Sequence, residues 1–130
     1  MHQSKLSTIV IDCPPEQWDA ALAFWQALFG NVIADDADTE HRYVSLKIPV
    51  DHVELLLQRT DDAPGVHLDV ETDNVEAEVE RVQQIGAVKV RGVKDWQVME
   101  APGGHRFCIV PKHTKTFPAG ANQWPAREET

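Results

Sequence analysis

Cysteine is scarce in this chain: only Cys13 and Cys108 occur, far apart and both in apolar segments. That excludes a disulfide-stapled scaffold and fits no zinc-knuckle spacing, so both are expected to be reduced, buried thiols. Positive charge is also in short supply. Twelve Lys and Arg stand against twenty-one Asp and Glu, a net charge of -9. With no basic patch to offset it, such a balance repels nucleic-acid phosphates and anionic lipid, so neither is expected as a partner. No apolar run is long enough to span a bilayer. The opening MHQSKLSTIVIDC lacks the basic segment, apolar stretch and small-residue cleavage site of an export signal, and the expected location is the cytoplasm. Glycine-rich phosphate loops are missing, and Gly103-Gly104 reads as a tight hairpin turn. No serine occupies a glycine-flanked elbow and neither cysteine has a flanking base, which leaves nucleophilic catalysis poorly supported.

What is present is a 130-residue chain with ordinary hydrophobic content, 42%, and charge, 25%, enough for one domain with a real core. Residues 7 to 13, STIVIDC, alternate as a half-buried strand, with Ile9, Ile11 and Cys13 on one side and Thr8, Val10 and Asp12 on the other. Pro14-Pro15 stops it. Trp18, Leu22, Trp25, Leu28 and Phe29 then recur at helical spacing up to Gly30, with Trp25 and Phe24 or Phe29 expected in the core. Strands are expected at 31 to 35, 41 to 48 and 52 to 58. After a linker at 60 to 65 the pattern restarts. VHLDVET is a strand with His67, Asp69 and Glu71 on one face, and a helix capped by Asp73 or Asn74 runs to Gly86. Strands follow in AVKVRG, DWQVMEA and HRFCIV.

Both halves read β-α-β-β-β, and Ile11-Asp12-Cys13 parallels Leu68-Asp69-Val70, which points to an internal duplication. The modules are about 6 to 59 and 66 to 111, within a single domain covering 1 to 130. The polar tail from 112 to 130 is expected to be an extended arm anchored only by Phe117 and Trp124.

The segments IDCPPEQWDAALAFWQALFG, HLDVETDNVEAEVERVQQIGA and APGGHRFCIV, in that order on a doubled pattern, resemble the vicinal oxygen chelate superfamily. That superfamily includes glyoxalase I, bleomycin-resistance proteins, fosfomycin-resistance enzymes and extradiol dioxygenases, and the closer likeness is to its glyoxalase-like domain branch. The resemblance implies an α+β fold of two tandem βαβββ modules whose curved sheets surround a shared cleft. In metal-dependent members it implies ligands from the first and last strand of each module. His67 matches one such position, Cys108 stands where a glutamate is usual, Val10 or Thr8 fills the first-strand place of the first module, and Glu54 is the only acid in HVELLLQ. A metal set would therefore rest on His67 and Glu54, with Cys108, His105 and His52 as further candidates for Zn, Ni, Mn or Fe. A divalent site needs three or four protein ligands, and one good ligand is too few for tight binding.

The residues expected to meet a ligand are Asp12, His67 and Asp69, with Glu71 beside them, then Trp96 and Tyr43 as flat aromatic surfaces and Gln58, a glutamine often seen there in the branch. Asp12 and Asp69 could instead pair with Arg91 and Arg106 or hold loop amides. Two functions are expected from this reading. The first is a small-molecule binding protein with an acidic inter-module cleft, a cationic ligand, no tightly held metal and, by analogy with bleomycin-resistance proteins, a homodimeric state. The second is a metal-dependent lyase, isomerase or dioxygenase, and a non-catalytic interaction domain is the remaining alternative.

Overall fold

The structure is a computed structural model that describes residues 1–36, 42–61 and 63–126. The elements run β1 (His2–Cys13), a 3-10 turn (Pro15–Gln17), α1 (Trp18–Leu28), β2 (Ala34–Asp36), β3 (Tyr43–Leu46) and β4 (Glu54–Arg59). Then come β5 (Gly65–Thr72), α2 (Val75–Gln84), β6 (Val88–Val93), β7 (Trp96–Glu100), β8 (Arg106–Pro111) and β9 (Asn122–Trp124). The chain divides into two compact units: one is Thr8–His67, the other Met1–Ser7 with Leu68–Thr130. Both β1 and β5 cross this division, so each contributes residues to both units.

In the first unit the strand order is β2-β3-β4-β1, with β1 parallel to β4 and the other pairs antiparallel. The alternation in β1 turns Ile11 and Cys13 onto a core shared with Trp18, Val44, Leu46, Leu55 and Leu57, against which Ile9, Ala21, Leu22 and Trp25 pack. Leu57 is completely buried, and side chains of this kind contribute about 1.5–3 kcal/mol each by leaving water. Gly30, with φ +91°, ends the α1 turn in a conformation that L residues rarely adopt.

Several expectations need correction here. Phe24 and Phe29, one of which was expected in the core, are both exposed, as is Leu28. An 11-residue helix offers one stripe to the sheet, and Trp18, Ala21, Leu22 and Trp25 take it. Phe24 and Phe29 pack instead around the Trp25 ring, at centroid distances of 5.1 and 6.0 Å. The strand expected at 31 to 35 is only Ala34–Asp36, since Asn31 takes φ +58° in the turn after Gly30. The one expected at 52 to 58 starts at Glu54, because His52 adopts φ +66° in a turn. The strand over 41 to 48 spans Tyr43–Leu46, and His41 lies outside the described residues.

The second unit repeats the order as β5-β8-β7-β6, with β5 parallel to β8 and antiparallel pairs beyond. Asn74 caps α2 by accepting a hydrogen bond from the Ala77 amide at 3.0 Å. Val79 and Val82 then pack on Met99, Ile109 and Ala87. Gly86 closes the helix at φ +118°. A Cβ there would stand 3.0 Å from Pro102 Cγ. The two units thus share both element order and strand order. The register shows the same correspondence: Asp12 faces Gln58 across β1 and β4, and Asp69 faces Cys108 across β5 and β8.

The tail departs from the extended arm expected of it. Strand β9 pairs antiparallel with the start of β1, placing Trp124 opposite His2. Trp124 Nε1 donates to Ser4 Oγ at 2.8 Å, and the Arg81 guanidinium lies 3.8 Å over its ring. Lys5 Nζ donates to the Ala119 carbonyl at 3.4 Å. Phe117 is therefore one of several half-buried or bonded points rather than a principal anchor.

Candidate functional site

Alternation decides which side chains of the first unit can meet a ligand. Ile11, Cys13, Leu55 and Leu57 go to the core, so Asp12 and Gln58 are turned to the opposite face. In register, Asp12 stands beside Gln58 and Gln58 beside Tyr43, a lateral row across β1, β4 and β3. Strands are spaced by about 4.8 Å, so the row extends roughly 10 Å from Asp12 to Tyr43. His67, at the start of β5, closes it: its Nδ1 lies 2.6 Å from Asp12 Oδ2. Their side chains are 21% and 17% exposed, so the pair is sheltered yet reachable. A carboxylate oxygen can only accept, hence Nδ1 carries the proton and Nε2 is the nitrogen directed away from Asp12.

On the second unit the equivalent row is Asp69, Cys108 and Val98, followed by Arg91. Trp96, two residues from Val98 on β7, is half-buried on that same face. His67 and Asp69 alternate along β5, and with Cys108 they offer nitrogen, oxygen and sulfur donor atoms within 4.8 Å of one another. Glu54 stands in a different rung, opposite Thr8, four residues along β4 from Gln58. Asp69 thus stands against Cys108 in the second unit, and in the first Glu54 lies roughly 13 Å along its strand from the Gln58 rung. His52 and His105 are exposed in turns.

The anticipated arginine pairing of Asp12 is replaced by His67, and Arg106 Nε meets Glu100 at 3.3 Å instead. Glu71, grouped with the ligand-facing acids by its strand parity, is fully buried and already engaged. Its carboxylate accepts from the His113 amide at 3.0 Å, the Thr114 amide at 3.1 Å and the Thr114 hydroxyl, with Lys5 Nζ 3.7 Å away. Burial pushes Glu71 up, but those hydrogen bonds and the nearby His113 outweigh it and hold the carboxyl below its ordinary value. Glu78 behaves likewise: burial raises it, while Arg81, Ser4 and His2 lower it further. Lys5, His113 and Thr114 were not foreseen from sequence, since nothing local in the tail marks its partner strand.

Neither cysteine is in a disulfide, and Cys13 is buried while Cys108 is partly so. Burial foremost, and then Glu16, push the Cys13 thiol up, Arg59 offsetting them in part. That environment suits an inert core thiol. Cys108 has instead an imidazole and a carboxylate at hand. No helix among the described residues is long and apolar enough to cross a membrane.

Comparison with solved structures finds the same fold in proteins of very different sequence. Methylmalonyl-CoA epimerase from Mycobacterium tuberculosis is 16% identical with a TM-score of 0.53, over 85% of this chain and 89% of the other. The Streptomyces coelicolor enzyme of that name, in complex with 2-nitronate-propionyl-CoA, is 20% identical with a TM-score of 0.52, over 82% and 93%. A glyoxalase/bleomycin resistance protein/dioxygenase superfamily member from Vibrio splendidus is 13% identical with a TM-score of 0.53, over 84% and 99%. No curated protein matches the sequence. The family model described as a glyoxalase-like domain matches residues 8–110, which spans both repeats, and the chain accordingly belongs to the glyoxalase-like domain family.

Proposed function

We propose that this chain is a small-molecule binding protein of the glyoxalase/bleomycin-resistance type, with its ligand held at the Asp12–His67 pair and flanked by Gln58 and Tyr43. The observation that carries the reading is the 2.6 Å contact between His67 Nδ1 and Asp12 Oδ2 on a partly exposed face. A histidine fixed in tautomer and direction by a carboxylate is a preorganised polar anchor, and Gln58 adds both donor and acceptor in the adjacent strand. The net charge of -9 and the repeated aspartates, Asp12 and Asp69, favour a cationic ligand. Thermal-shift measurements with polyamines, aminoglycosides and glycopeptides, set against small carboxylates and CoA esters, test this. Cations are expected to raise the melting temperature of the wild type and not of His67→Ala; protection by the anions alone removes the proposal.

A second reading is a metal-dependent lyase, isomerase or dioxygenase. The sequence-based expectation of loose or no metal binding rested on a single good ligand, His67. The specific observation favouring the second reading is that Asp69 and Cys108 stand beside it. A divalent ion bound there would act as a Lewis acid toward a carbonyl or hydroxyl oxygen. The epimerase complex with 2-nitronate-propionyl-CoA makes acyl-CoA esters the first substrates to assay. Turnover that depends on added metal and is lost in His67→Ala would establish it.

A further inference from the structure

We infer that the outward face of α1 is the surface through which two copies of this chain associate, helix against antiparallel helix about a twofold axis. The inference stands apart from both readings of the ligand site. It starts from the helix sequence, WDAALAFWQAL, in which only Asp19 and Gln26 interrupt an apolar run. One stripe of that helix, Trp18, Ala21, Leu22 and Trp25, already packs on the sheet. With about 3.6 residues per turn, Ala20, Ala23, Phe24, Ala27 and Leu28 fall on the opposite side. All five are exposed, Phe24 at 58% and Leu28 at 57%. A helix with apolar side chains on two opposed faces has one face more than its own sheet can cover.

The equivalent helix of the other repeat supplies the comparison. On α2 the exposed positions are Glu76, Glu80, Gln83 and Gln84, all polar. Two helices at the same place in the repeat thus turn opposite chemistry outward, and the apolar surface is the one that marks an interaction. Phe29, also exposed, extends it by stacking on Trp25.

Shape, charge and area point to a second copy as the occupant. The face carries its own complement: Phe24 and Leu28 project beside three alanines, Ala20, Ala23 and Ala27, whose small side chains leave hollows. An antiparallel pair centred on Phe24 sets Leu28 of each copy over Ala20 of the other, as a twofold contact requires. At about 1.5 Å of rise per residue it also holds the two Asp19 carboxylates roughly 15 Å apart, beyond the ~8 Å screening length of physiological salt. A parallel pair would bring them together, in a chain whose net charge is already -9. A lipid surface fits poorly, because no Lys or Arg occurs between Lys5 and Arg42 and the helix lacks the basic flank of membrane-surface helices. At about 200 Å² for a fully exposed side chain of their size, Phe24, Leu28 and Phe29 together offer on the order of 300 Å². Two such faces with their alanines bury roughly 900 Å², small for a specific contact, which predicts a dimer that dissociates in the micromolar range.

Sedimentation equilibrium of the full chain from about 1 to 300 µM tests the face. The average mass is expected to rise from 14.6 kDa toward twice that value across the micromolar range. Ala20→Lys and Leu28→Glu should each weaken association by about tenfold or more, since each buries an unpaired charge. The double variant Ala20→Lys/Leu28→Glu should regain much of the loss, because the antiparallel register sets each added ammonium beside the other copy's added carboxylate. Gln84→Glu, which adds the same charge to the exposed side of α2, should leave the dimer unchanged. Circular dichroism identifies any variant that fails to fold, and Ala27→Glu then takes its place. A monomer at every concentration, a dimer indifferent to the α1 variants, or equal weakening by Gln84→Glu overturns the inference. So does flotation with phosphatidylcholine vesicles by a chain that stays monomeric without them. A double variant no tighter than its parents overturns the antiparallel register.

Discussion

His67 Nδ1 lies 2.6 Å from Asp12 Oδ2, although 55 residues separate the two along the chain. The contact joins the strands that open the two repeats, and it should register as energetic coupling. Asp12→Asn and His67→Gln, alone and together, are expected to show a coupling energy of about 1 kcal/mol in urea unfolding. Strict additivity would reduce the pair to a coincidence of neighbouring side chains.

Glu71 should make stability depend on acid. Its folded carboxyl titrates below the ordinary value of 4.5, so its contribution is present above that pH and disappears as pH falls through the lowered folded value. Glu71→Gln also leaves the Lys5 ammonium, itself 95% buried by its 5% exposure, without its carboxylate. The variant is expected to be about 3 kcal/mol less stable at pH 7, with the gap from wild type shrinking in acid. Urea midpoints of wild type and variant, taken at pH 7 and again in acid, measure both effects.

Trp124 ties the tail to the first strand through its indole N–H on Ser4 and its ring beneath Arg81. Trp124→Ala should cost about 2 kcal/mol, while Trp124→Phe keeps the stacking and recovers part of it. Thermal unfolding of the two variants distinguishes the ring's share from that of the hydrogen bond.

Gly86 and Gly30 end equivalent helices but should respond differently to alanine. Both have positive φ, and only at Gly86 would the new Cβ meet a side chain, Pro102 Cγ at 3.0 Å. Gly30→Ala is expected to cost about 1 kcal/mol and Gly86→Ala about 2–3 kcal/mol. Equal losses would mean that Pro102 yields without resistance.

Much of the architecture could be read from the sequence because it is written locally. Alternation in residues 7 to 13 and 66 to 72 separates a core face from a polar one, and the glycines after each helix mark its end. The parallel of Ile11-Asp12-Cys13 with Leu68-Asp69-Val70 was visible, but the registers that set Asp12 against Gln58 and Asp69 against Cys108 were not. The tail was opaque for the opposite reason: β9 finds its partner 120 residues away, and no period in a three-residue strand reveals that. Glu71 was misread because strand parity fixes the face a carboxylate points toward and is silent about the backbone amides that later cover it. The clustering of Asp69 and Cys108 depended on which residues of β5 and β8 pair, a cross-strand fact that neither segment contains by itself.

The antiparallel pairing of Trp124 with His2 sets position 124 directly beside position 2 in neighbouring strands. A short glycine-serine bridge between those two strands could therefore join them and let synthesis begin elsewhere, for example at the exposed 102–104 turn between β7 and β8. Such a circularly permuted version would keep every strand neighbour described above while sending β8 and β9 out of the ribosome ahead of β1.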